Sequence, residues 1–221
     1  MLKTKLINTE DNIVFLTHAL PKIHWTEMPI FKRTPELAGL GQIISLVNDD
    51  RNFSCPDNLL SCNPLIIKSQ WGELDLRKNN KDLLDRLSGK NLYFSGGNFY
   101  CCLANTVKSL YPLPVIENRD MTFTFIEDYI YVLWNDGAEA VSLKQFRVGS
   151  NRGRMKSAES SYIFYKNPLN GNINYWQNFA KKNKVNIHFS YHGWLSEFYD
   201  SPRSKYTIDL EVKSWSEIGE N

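Results

Sequence analysis

The chain has 221 residues, of which 42% are hydrophobic, 23% charged and 13% aromatic, and its net charge is +2. These values describe a folded globular chain and exclude a disordered one, and the aromatic share favours strands over a helical bundle. No apolar run approaches the roughly 18 residues of a membrane span, the amino-terminal stretch is continuously apolar only from Ile13 to Leu16, and four cysteines are too few for a disulfide framework, so a cytoplasmic chain with reduced thiols is expected.

Ile13 to Thr17 reads as a first strand. Thr34-Pro35-Glu36 supplies a capping hydroxyl, a proline for the first turn and an acid near the positive helix end. It predicts a helix carrying Leu37, Leu40, Ile43, Ile44 and Val47 and stopping near Asn48. Arg51 to Pro64, rich in Asn, Asp, Ser and Pro, reads as a loop. Leu65 to Lys68 and Leu74 to Leu76 read as short strands. A helix follows with Leu83, Leu84 and Leu87 on one face and Gly89 at its end.

Leu92 to Phe94 is strand-like, and Gly96-Gly97 forces a turn. Cys102 to Leu110 reads as a helix ended before Pro112. Met121 to Ile126 alternates, and Tyr129 to Trp134 follows after Glu127-Asp128, which predicts a hairpin or a bulged pair. Ala140 to Val148 and Tyr162 to Lys166 read as strands, and Asn172 to Lys182 as a helix. Val185 to Tyr191 and Tyr206 to Trp215 read as strands around a short helical piece at Trp194 to Tyr199. Neighbouring strands with helices grouped between them predict an α+β fold, mainly antiparallel sheet with about four to five short helices. Residues 1–221 read as a single domain, with the one candidate subdivision near residues 111–120.

The charge is unevenly placed. Residues 144–185 carry nine basic residues and one acidic, a net of +8, while the flanking segments carry a net of −3 each. Lys144, Arg147, Arg152, Arg154, Lys156 and Lys166 are interleaved with Tyr162 and Tyr165. Cations meet phosphates, glycines at 149 and 153 let the main chain approach, and aromatic rings stack on bases. The leading expectation is a non-catalytic binding protein engaging nucleic acid through residues 144–184. An acidic protein surface is the other partner such a segment fits, and no membrane is expected. A protein-interaction or inhibitor module, such as an intracellular antidote to a toxin or a phage-type regulator, is the first alternative.

An enzyme is the second alternative, in two forms. Asp209, Glu211 and Lys213 alternate with Ile208, Leu210 and Val212, so both carboxylates and the amine share one strand face and suit a Mg²⁺-activated water. The Glu-x-Lys spacing resembles the second half of the PD-(D/E)xK nuclease motif, although the sequence given ends soon after Lys213, where those nucleases continue with a helix and a strand. Cys101 and Cys102, after Gly96-Gly97, open a predicted helix, a setting that suits a thiol nucleophile. That layout resembles papain-like and NlpC/P60-like hydrolases and implies a later histidine such as His188, although no histidine lies on the strands at 121–134 where those families place it. No Cys/His zinc spacing and no phosphate-binding glycine loop is present, so neither a cofactor nor a resident metal is expected.

Overall fold

The computed structural model describes residues 9–18, 34–48, 57–74, 76, 81–97, 102–134, 139–143, 180–191, 196–199 and 204–219. The strands are β1 Asn12–Thr17, β2 Gln42–Val47, β3 Leu65–Lys68, β4 Asn91–Gly96, β5 Met121–Trp134, β6 Glu139–Ser142, β7 Asn186–Tyr191, β8 Ser196–Tyr199 and β9 Thr207–Lys213. Among the described residues the α-helices are α1 Asp57–Leu60, α2 Lys81–Leu87, α3 Ala104–Leu110, α4 Leu113–Glu117 and α5 Trp215–Gly219, residues 180–183 are also helical, and 3-10 helices lie at Thr9–Asp11 and Thr34–Gly39.

The strands form one sheet in the order β3-β2-β1-β4-β5-β9-β7-β8, with β6 paired to β5. From β3 through β7 the seven strands are all parallel; β8 and β6 add antiparallel pairs. The protein is therefore an open α/β fold, which overturns the antiparallel α+β expectation. The physical reason lies in burial. All six residues of β1 are buried, and four consecutive residues of β2 are. Strands covered on both faces read as continuous apolar runs without alternation. In β2 such a run, Ile43, Ile44 and Val47 behind Leu37 and Leu40, fits a helical period equally well. A helical segment does start at Thr34, but it is a 3-10 helix that ends at Gly39, and a strand follows.

One face of the sheet presents Ile13, Phe15, Ile44, Leu46, Leu92, Phe94, Phe123 and Phe125 to α2, α3 and α4. Phe94 lies 5.4 Å from Phe15, 5.4 Å from Phe123 and 5.5 Å from Phe125, ring centre to ring centre. Each such buried ring contributes about 1.5–3 kcal/mol. The other face carries Val14, Leu16 and Ile43 against Leu37 of the second 3-10 helix, Leu40 just after it and Leu59 of α1.

Strand β5 runs 14 residues as one strand, where the sequence predicts a hairpin or a bulged pair. Its pairing with β4 steps from Phe94↔Phe125 to Gly96↔Ile130. The irregularity at Glu127-Asp128 reverses the alternation, so Tyr129 and Tyr131 join Ile126 on the second face. Bulges re-aim side chains in this way. Residues 196–199 form a strand instead of a helix, and residues 113–117, within the candidate subdivision near 111–120, form a helix. No helix among the described residues is long and apolar enough to cross a membrane.

Candidate functional site

Strands β1, β2 and β3 step outward in one direction, and the chain then returns to place β4 on the other side of β1. The strand order thus reverses between β1 and β4. In open parallel sheets the crevice outside the carboxyl ends of the strands at such a reversal is where ligands bind. Those ends here are Thr17-His18, Asn48, Ser69 and Gly96-Gly97.

His18 is buried and sits at φ 44°. Its amide donates to the Leu46 carbonyl (2.9 Å), its carbonyl accepts from the Tyr131 hydroxyl (3.0 Å), and its Nε2 donates to the Ser69 carbonyl (3.1 Å). Because a carbonyl can only accept, the Nε2 position carries the proton. One residue therefore ties the ends of β1, β2, β3 and β5 together. The bulge in β5 is what brings Tyr131 to it. Gly96 at φ 85° lets the next amide, Gly97, donate to the Thr17 carbonyl (2.9 Å).

The loop after β3 is pinned along its length. The Ser69 amide donates to Val47 (2.7 Å), and the Ser69 hydroxyl donates to the Glu73 carbonyl (2.7 Å). The Trp71 carbonyl accepts from Asn105 Nδ2 (3.1 Å), and the Leu74 amide donates to Ser109 Oγ (2.9 Å). Thr106 Oγ1 lies 2.9 Å from the Gly72 carbonyl and 3.0 Å from that of Cys102. With its one proton shared between two carbonyls, Thr106 accepts from Thr17 Oγ1 at 3.0 Å. Gly72, at φ 79°, presses against Cys102 so closely that a Cβ there would lie 2.1 Å from the Cys102 carbonyl oxygen. Trp71 itself sits at φ 58°. A bulky residue held in that region costs about 1–3 kcal/mol and persists only where the surroundings over-determine it. The half-buried Cys102, which is in no disulfide, leads into α3, and its carbonyl meets Gly72 and Thr106.

The other polar feature lies on the second face of the sheet, across β5, β9 and β7. Asp209, Glu211 and Lys213 share one side of β9, and the alternate residues Ile208, Leu210 and Val212 are buried, as the alternation predicts. Strand β9 is interior to the sheet, between β5 and β7. His188 Nδ1 lies 2.9 Å from Asp209 Oδ1, and Lys213 Nζ lies 2.7 Å from Glu211 Oε2. The carboxylate and the amine of the Glu-x-Lys pair thus satisfy each other. Among the described residues no group of three or more His, Cys, Asp or Glu side chains is disposed to hold a metal ion. Tyr93 of β4 faces the same patch. Burial pushes its phenol above the ordinary 10.0, Lys213 pulls it down and Glu211 pushes it up.

His188 is not brought to Cys102. It is level with Asp209 and so with Thr122, near the start of β5, whereas Cys102 follows the far end of β4. Three strand spacings and most of a strand length separate them, roughly 20 Å. Cys101 lies outside the described residues, as do Lys144, Arg147, Arg152, Arg154, Lys156, Tyr162, Tyr165 and Lys166. Sequence pattern alone did not single out Ser69, Trp71, Gly72 or Thr106. The available signal was Ser69-Gln70-Trp71-Gly72, a turn-like break straight after a short apolar strand. Comparison of the chain with protein-family models, with curated proteins and with solved structures finds no match.

Proposed function

We propose that the crevice at the carboxyl ends of β1 to β4 binds a small molecule and that the Cys102 thiol is its reacting group, which makes the protein a thiol hydrolase. The observation that carries this reading is the positive-φ backbone of two non-glycine residues, His18 and Trp71, beside the strand-order reversal. Strain of this kind concentrates at working sites. In the reaction the thiolate adds to an electrophilic carbonyl carbon, and the leaving group departs with a proton. Water then cleaves the thioester and returns the thiol.

Mass-spectrometric mapping of iodoacetamide labelling, with Cys62 as internal reference, tests the thiol. Cys102 should react faster than Cys62. Ester or amide turnover found in a substrate screen should vanish in Cys102→Ala. Labelling of Cys102 no faster than Cys62, together with turnover unchanged in the variant, overturns the reading.

A second reading concerns a different part of the chain and rests on its +8 segment. Lys144, Arg147, Arg152, Arg154, Lys156 and Lys166, with Tyr162 and Tyr165, form a nucleic-acid-binding stretch in a cytoplasmic protein. Filter binding with single- and double-stranded RNA and DNA across a salt series should show affinity that falls as salt rises. Absence of binding at low salt ends it, and capture of an acidic protein in place of nucleic acid transfers the segment to the interaction-module reading.

A further inference from the structure

We draw no further inference here: the strongest candidate, the partly exposed cluster of His188, Asp209, Glu211 and Lys213 on the second face of the sheet at β7 and β9, carries none, because the two carboxylates are already met by His188 and Lys213 and nothing in the structure shows what covers that face.

Discussion

The two polar regions of the molecule are built in opposite ways. At the carboxyl ends of β1 to β4, polar groups are buried and bonded to backbone, and the backbone carries non-glycine residues at positive φ. On the face of β9 and β7, charged groups are partly exposed and are paired mainly with one another. The charged face is the more conspicuous in a sequence, yet its pairs are partly open to solvent. At the strand ends, His18, Ser69, Trp71 and Gly72 are each tied to other elements by hydrogen bonds. Rigidity that exceeds what packing needs is the better pointer to a working site.

Substitution can break that contrast. The largest effects should come from Gly72→Ala and Gly96→Ala. A Cβ would meet the Cys102 carbonyl oxygen at 2.1 Å in the first and the Thr17 carbonyl oxygen at 2.2 Å in the second. With the positive φ added, each should lose about 2–5 kcal/mol in urea denaturation. Gly89→Ala is the control. It has the positive φ but nothing within 4 Å, and should lose only about 1–2 kcal/mol. Equal losses at all three positions would mean that close approach to Cys102 and Thr17 is not what holds the crevice.

Thr106→Val comes next. It keeps the shape and removes the hydroxyl that serves two carbonyls and Thr17, so about 1–3 kcal/mol should be lost. On the charged face, Asp209→Asn and Glu211→Gln should each change stability by about 0–1 kcal/mol, because both pairs are screened by solvent. A larger loss there would make β9 a structural centre and reverse the comparison.

The smallest effect at neutral pH belongs to Tyr93→Phe. Since burial raises the phenol's folded pKa above the ordinary 10.0, its contribution is complete below that pH and is lost as pH rises through the folded value. Urea midpoints should therefore fall above about pH 10 in the parent chain and fall less in the phenylalanine variant.

Several elements were legible because a local cause decides them. Leu65–Lys68 and the helix with Leu83 and Leu87, ended by Gly89 at φ 73°, follow from short-range pattern. The β9 alternation was equally readable. Strand direction was not, since parallel and antiparallel partners demand the same side chains of a buried strand. Ser214 and Glu217 form a capping box, with the Ser214 amide 2.6 Å from the Glu217 carboxylate, which makes Trp215 a helix start and not a strand end. Cys102 was visible as a thiol after a glycine turn. Its surroundings were not, because Thr17, Ser69 and Thr106 become neighbours only through the strand order.

The position of β9 has a consequence for assembly. It follows β7 and β8 in the chain yet separates β7 from β5. Until it arrives, β5 offers an unpaired edge bearing Phe123 and Phe125, and β7 with β8 has no sheet to join. Contacts this distant in sequence form late and slow the folding rate. A chain truncated before β9 would therefore present the Phe123 and Phe125 edge of β5 unpaired, the kind of open strand edge that favours aggregation.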